Sequence, residues 1–244
     1  IVDTWWQTET GGILISNLAG VTPDKPAHAT LPLPGILPVI LGDNNEVVSE
    51  NNQEGPLCFK RPWPGIARTI WGNHQRYLET YFTAFPGYYF TGDGARRDHD
   101  GDYRITGRID DLIKVSGHLL STAEIENVLN AHHEVVESAV IGRPHPIKGQ
   151  DIYAFVISPH PEMFKAKREQ YEKELRDHVS KTLGPICRPE KIQLVSGLPK
   201  TRSGKIMRRI LRKIASGETH ELGDTSTLLN PEIVEQIMRD LAQG

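Results

Sequence analysis

Cysteine is scarce in this chain of 244 residues: the two present, Cys58 and Cys187, make no metal-ligand spacing and no disulfide framework. They read as thiols of a reducing compartment, so a cytoplasmic location is expected. No apolar run approaches the ~20 residues that cross a bilayer as a helix, and no membrane partner is expected. A charge excess is missing too: 28 Lys and Arg face 31 Asp and Glu, for a net charge of -3. That balance gives the chain no overall pull toward nucleic acid or anionic lipid. The opening Ile1-Val-Asp-Thr-Trp-Trp6 has no start methionine, basic leader or signal-type core. Its apolar, aromatic character reads as an internal strand, so a longer chain is expected upstream.

What is present is ordinary for a globular protein, with 38% hydrophobic and 24% charged residues. Residues 1–109 are rich in Gly, Pro and aromatics. They show short β-like runs at 12–16, 36–41, 55–60, 87–91 and 103–106, parted by turn chemistry such as Gly42-Asp43-Asn44-Asn45. One helix is expected at 73–82. The pattern changes after Gly107. Ser121-Thr-Ala-Glu124 is a capping box before Ile125, Val128 and Leu129 at helical spacing. Strands are expected at 135–141 and 152–157 with Pro144 and Pro146 in the turn between, and a strand at 191–195. Helices are expected at 162–183, 206–215 and 231–242, the first stopped by Gly184-Pro185. The fold class is mixed α/β: a β-rich part over 1–109, then a small α+β domain over 110–244.

The chemically loudest segment is Lys200-Thr-Arg-Ser-Gly204-Lys205, at the head of seven Lys or Arg between 200 and 213. A phosphate-binding P-loop does not fit, because Gly197 and Gly204 enclose six residues and Ile206 follows the Lys. A nucleic-acid patch is weakened by the lack of interleaved aromatics. A solvated face suits Arg208, Arg209, Arg212 and Lys213, whereas the Gly-containing loop suits delivery of one ammonium to an anionic site. Tyr89-Phe-Thr-Gly92-Asp93 puts a carboxylate just past a strand, where it could accept two hydroxyl hydrogen bonds. Asp98-His-Asp-Gly-Asp102 has its Gly at the wrong position for an EF-hand and reads as a hairpin turn. Trp5-Trp6 is followed by Gln7-Thr8-Glu9-Thr10-Gly11, which core packing alone does not require.

Taken in order, WWQTETGG (5–12), YYFTGDGARRD (88–98), TGRIDDLIKVSGHLLSTAEIE (106–126) and LPKTRSGKIMRRILRKIA (198–215) resemble the adenylate-forming superfamily of acyl-CoA ligases, luciferases and peptide-synthetase adenylation domains. The match runs over nearly the whole chain. The last two motifs and the tail Leu222-Gly-Asp-Thr-Ser-Thr-Leu228 are closest to acetate-activating members. The resemblance implies that 1–109 is the C-terminal part of the large AMP-binding domain. Residues 110–244 would then be the mobile C-terminal domain, with its hinge at Asp110. It implies ATP, Mg²⁺ and coenzyme A as reaction components, and acetate as the acid, with propionate as the alternative. A regulatory or anion-binding module is the non-enzyme alternative.

Residue by residue, the resemblance implies that Asp3, Thr4, Trp5, Trp6, Gln7, Thr8, Asp93 and Arg108 bind ATP or AMP. Trp6 would wall the acyl pocket and Glu9 would help hold Mg²⁺. Ser116 and Gly117 would line the coenzyme A path, where a side chain at 117 would crowd the pantetheine. Lys205 would be catalytic, and its acetylation would make an acetyltransferase and a deacetylase partners. Asn130, His132 and Val135 resemble a second metal site. The chain departs from some bacterial members at Leu119, and at Ser180 where they place a coenzyme A-contacting Arg; Lys181 is the expected substitute. The Ser/Thr/Gly-rich loop that cradles the β/γ-phosphates in this family is not among these residues, so the segment alone is expected to be inactive.

Overall fold

The computed structural model describes residues 2–42, 44–219, 222–223 and 225–242. Ile1 of the expected internal strand, Asp43 of the expected turn and Asp224 of the tail motif lie outside the described residues. The chain divides into two compact units, Ile1–Asp110 and Asp111–Gly244.

In the first unit, β1 (Thr4–Gln7) and β2 (Gly12–Ser16) form an antiparallel pair joined by a one-turn helix at Thr8–Thr10. Gly11 closes that turn with φ +68°, and a Cβ there would lie 2.0 Å from the Gly65 carbonyl oxygen, so no other residue fits. A second sheet is built from β3 (Pro38–Ile40) and β4 (Glu54–Phe59), then, after helix α1 (His74–Phe82), β5 (Tyr89–Arg97) and β6 (Tyr103–Arg108). Its order is β3-β4-β5-β6, all antiparallel. Asn73 caps α1 by accepting from the Arg76 N–H at 3.0 Å. Trp5, Trp63 and Tyr89 surround Phe59, with the two Trp rings each 5.3 Å from it. The strand expected at 87–91 continues to Arg97, so Asp93 lies inside β5 rather than past its end. Gly92, at φ +75°, looks like a strand stop in sequence but is absorbed within the strand, at the register shift between Pro56 and Cys58 of β4. The hairpin turn expected at 98–102 is present, with Asp98 Oδ1 accepting from the N–H groups of Asp100 and Asp102.

The second unit opens with the hairpin β7 (Ile113–Val115) and β8 (His118–Leu120), followed by α2 (Thr122–Asn130), which Ser121 caps. The long strands β9 (Glu137–His145) and β10 (Gly149–Ile157) pair antiparallel over nine residue pairs. Helices α3 (Pro161–Ala166) and α4 (Arg168–Leu183) lead to β11 (Lys191–Leu194), which pairs parallel with β10. Helices α5 (Arg208–Ala215) and α6 (Glu232–Ala242) complete the unit. β10 is apolar on both faces, as a strand buried between helices must be. Ile152, Ala154 and Val156 meet α2 and α4 residues such as Ile125 and Leu175, while Tyr153 and Phe155 meet Ile210, Ile214 and Ile237 of α5 and α6.

Three expectations are corrected here. The helix expected at 162–183 is broken at Lys167, whose φ of -122° and ψ of 37° leave the helical region. Phe164 and Tyr171 on either side stack at 5.3 Å and face the same core. The helix expected from 206 begins at Arg208, because Ile206 pairs with Lys200 across the loop. Pro144 belongs to β9, opposite Gln150, and not to the turn. Among the described residues β9 pairs with β10 alone, and an edge strand tolerates a residue without an N–H.

Candidate functional site

In the first unit the strand β1 brings its polar groups against β5. The side chain of Trp5 is buried, and its Nε1 donates to Asp93 Oδ2 at 2.9 Å. Gln7 Nε2 donates to the Thr91 carbonyl at 2.6 Å and to Asp93 Oδ2 at 3.3 Å. Arg108, opposite Asp93 in β6, places Nη1 3.6 Å from Asp93 Oδ1 and donates from Nε to Asp110 Oδ1 at 2.9 Å. A Cβ at Gly92 would lie 2.9 Å from that guanidinium, so the glycine keeps room for it. Asp93 is therefore a buried carboxylate held from several sides, its Oδ2 by Trp5 and Gln7 and its Oδ1 beside Arg108.

Glu9 is half-buried in the turn after β1, and the hydroxyl of Tyr81 on α1 donates to its Oε1. Tyr81 stacks on Tyr89 at 5.2 Å with 6° between planes, and the Tyr89 hydroxyl donates to Gln7 Oε1 at 3.2 Å. Burial, then the neighbouring Glu9 carboxylate, pushes the Tyr81 phenol well above its ordinary range; burial does the same to Tyr89. Both stay protonated and act as donors. Asp3, Thr4, Trp6 and Thr8 are exposed along the same segment, Trp6 by 58%. Nothing in the local sequence marks Tyr81, whose partner is 72 residues away.

In the second unit Lys205 is exposed at the end of a closed loop. Thr201 N donates to the Lys205 carbonyl at 2.9 Å, Lys205 N donates to Thr201 Oγ1 at 3.1 Å, and Gly204 turns the chain at φ +84°. Lys200 is held down by Glu137 at 2.7 Å, so of the two lysines in this loop Lys205 is the one presented. Ser116 and Gly117 form the two-residue turn of the β7–β8 hairpin, with φ +49° and +90°. A Cβ at Gly117 meets no atom within 4 Å, so within this unit the backbone angle, not crowding, is what calls for glycine.

Beside Ser116 lies an open cleft of about 610 Å³ that Lys148, Arg176, Arg188 and Glu190 also line. Lys181, the expected substitute for a coenzyme A-contacting Arg, instead lines a separate depression with His132 and His178. The hydroxyl of Ser180 is buried. Around the expected second metal site, Asn130 Oδ1 accepts from Ser138 at 2.8 Å and the His132 carbonyl accepts from Val135 N at 2.9 Å. Burial, together with His133 and His178, lowers the His132 pKa and keeps its ring neutral. The acidic turn Asp98, His99, Asp100 clusters like a cation site, but the Lys25 ammonium already binds Asp98 and Asp100 there.

Four charged side chains that the sequence reading left on a solvated face, or passed over, come together. Arg208 meets Glu126 of α2 through two bonds, and Arg208 and Arg212 both reach Asp111. Burial pushes the Glu126 carboxyl up, with the Arg208 guanidinium pulling it back.

Among the described residues no helix is long and apolar enough to cross a membrane. Residues 124–205 match the family model of the AMP-binding enzyme C-terminal domain. The chain is 55% identical over 240 residues to an acetyl-coenzyme A synthetase of Brucella anthropi, covering 98% of this chain and 37% of that protein. It is 51% identical to an acetyl-coenzyme A synthetase of Vibrio parahaemolyticus over 243 residues, all of this chain and 37% of that one. The chain thus spans little more than a third of the length of these curated relatives. Among solved structures, the ATP-bound RpMatB-BxBclM chimera B1 superposes with a TM-score of 0.76 at 25% identity, over 91% of this chain and 42% of that one. ATP-bound MatB from Rhodopseudomonas palustris shares the fold, with a TM-score of 0.75 at 23% identity over 90% of this chain and 41% of that one. Over nearly its whole length the chain is thus similar to acetyl-coenzyme A synthetases, and over residues 124–205 to the C-terminal domain of AMP-binding enzymes.

Proposed function

We propose that this chain is the part of an AMP-forming acetate–CoA ligase that holds the nucleotide and carries the catalytic lysine. The observation that carries the reading is the 55% identity, over 98% of the chain, to a protein named acetyl-coenzyme A synthetase. Residues 1–109 would be the end of the large AMP-binding domain, and 110–244 the mobile domain turning about Asp110. Propionate is the competing acid, and the cytoplasm the expected compartment.

In the first half-reaction a carboxylate oxygen of acetate bonds to the α-phosphorus of ATP. The bond from that phosphorus to the bridging oxygen breaks, and pyrophosphate leaves. Two anions must approach, and negative charge grows on the phosphoryl oxygens. Lys205 supplies the ammonium that offsets it. Asp93, fixed by Trp5, Gln7 and Arg108, accepts from the ribose hydroxyls, and Thr8 donates to the α-phosphate. The buried ring of Trp5 acts on the nucleotide through Asp93 rather than by contact. Trp6, on the opposite face of β1, limits the acid to a short chain. In the second half-reaction the sulfur of coenzyme A bonds to the acyl carbon and AMP leaves. Ser116 and Gly117 would border that thiol's path, and Arg176 and Arg188, which line the cleft beside Ser116, would flank it in place of the expected Lys181.

Hard cations such as Mg²⁺ take oxygen ligands, often one or two carboxylates plus substrate phosphates. Glu9 fits, with one oxygen oriented by Tyr81. The ion would neutralise charge on the phosphates when bound. Asn130, His132 and Val135 would hold a second ion through their backbone carbonyls, the His132 carbonyl with the lone pair that the Val135 N–H leaves over.

The test is acetate-dependent pyrophosphate release by the full-length protein. Lys205→Ala should lower it by roughly 10²–10³-fold, the scale for one well-placed stabilising group. Thioester formation from supplied acetyl-adenylate should stay near wild type. Release that is unchanged in Lys205→Ala, or that does not depend on acetate, would overturn the reading. Acetylation of Lys205 removes the same charge, which makes an acetyltransferase and a deacetylase acting on Lys205 partners in this proposal.

A further inference from the structure

Helix α5 follows the Lys205 loop directly, and charge fastens it to the residue after Asp110. It begins with Arg208 and Arg209, and no side chain caps its first turn. Cations there oppose the positive end of the helix dipole, so something must offset them. Arg208 donates to Glu126 from Nε at 3.1 Å and from Nη2 at 2.6 Å, and its Nη1 lies 3.9 Å from Asp111 Oδ2. One turn later Arg212 donates from Nη2 to Asp111 Oδ1. The Asp111, Glu126 and Arg208 side chains keep only 16%, 10% and 20% of their exposure, so salt screens this network little.

Seating α5 on the sheet does not by itself require these charges. Ile210, Leu211 and Ile214 are fully buried against Tyr153, Phe155 and their neighbours. Apolar burial is non-directional, however, and leaves a helix free to slide or roll on its seat. Guanidinium–carboxylate pairs are directional, and here they fix α5 at two successive turns of one face. The loop moves with the helix: Met207 N donates to the Pro199 carbonyl at 2.8 Å, and Lys200 pairs with Ile206.

We propose that Asp111, Arg208 and Arg212 form a charged strut that sets the place of the Lys205 loop relative to the start of the second unit, and so act as positioning residues for adenylation. This deepens the function proposed above and rests on it. Any turn about Asp110 reaches Asp111 first, and the strut passes it to α5 and to Lys205 without relying on the sheet between.

The experiment compares Asp111→Asn, Arg212→Met and Lys205→Ala in the full-length protein, each normalised to folded enzyme and assayed in both half-reactions. Asp111→Asn should slow acetate-dependent pyrophosphate release by about 10–100-fold, since a misplacement near 1 Å can cost about 10²-fold. KM for ATP and acetate should stay within about twofold, as expected when only transition-state contacts are lost. Thioester formation from acetyl-adenylate should be spared, and Asp111→Glu should recover part of the rate. Should Asp111→Asn fail to fold, the milder Arg212→Met decides the matter by the same split between half-reactions. Equal slowing of both halves, or no slowing of either while Lys205→Ala still slows release, overturns the strut alone. If Lys205→Ala leaves release intact, the functional reading falls and the strut with it.

Discussion

Neighbouring tryptophans in β1 have opposite surroundings. Trp5 is 5% exposed, packs on Phe59 and spends its N–H on Asp93; Trp6 is 58% exposed. Strand alternation predicts that the two face opposite ways, but the sequence WWQ does not say which one is inside. The difference separates their substitutions. Trp5→Ala should destabilise the first unit by about 3–5 kcal/mol, the usual loss for a buried Trp, and lower the melting temperature. Trp6→Gly should leave melting nearly unchanged and open the acyl pocket in the full-length enzyme. Two further methylenes are worth about 1.6 kcal/mol of burial, so kcat/KM for butyrate relative to acetate should rise by at least about tenfold. An unchanged ratio would make Trp6 a surface residue with no part in acid selection.

Among the elements, the β7–β8 hairpin joins a folding constraint to a proposed functional one. Its turn needs φ > 0 at both Ser116 and Gly117, the geometry that best matches strand twist. Gly117→Leu strains the backbone by about 1–2 kcal/mol, so a loss of thioester formation in that variant alone would be ambiguous. Asn tolerates positive φ far better. Gly117→Asn should therefore keep the melting temperature within a few degrees, yet slow the thioester half-reaction while sparing pyrophosphate release. Should Gly117→Asn form thioester at the wild-type rate, the turn does not border the thiol path. Local sequence revealed the Ser121 cap and the Gly184 stop because each acts within one turn of its own helix. The break at Lys167 was hidden, since Lys165-Ala-Lys-Arg-Glu169 contains no helix breaker. It exists because Phe164 and Tyr171 must both reach the core beside β10.

At the scale of the molecule, the second unit has apolar clusters on both faces of its sheet, and α6 closes one of them. Val234 and Ile237 are buried there, and Gln193 Nε2 donates to the Ile237 carbonyl at 3.2 Å. Residues 111–242 should therefore fold alone, with slow amide exchange in β9, β10, α2 and α4. Residues 111–220, which lack α6, should exchange faster on the Tyr153 and Phe155 side of the sheet. Amides of residues 2–108, assayed in the whole chain, should be less protected than those of β10. Equal protection in both units, or none in 111–242, would contradict this division.

The motif order, the alternation of strands and capped helices, the loop that presents Lys205 and the buried run of β10 were all determined by residues close together in the chain. Each depends on spacing, turn chemistry or propensity over a few positions, and those are written locally. Tertiary structure alone decided which charged and polar groups meet. Tyr81 finds Glu9 across 72 residues, Trp5 finds Asp93 across 88, and Arg212 finds Asp111 across 101. No local pattern distinguishes those partners from other carboxylates, because the packing of α1, of α5 and of strand β1 within their own units, and not the sequence around each group, brings the pairs within hydrogen-bond reach.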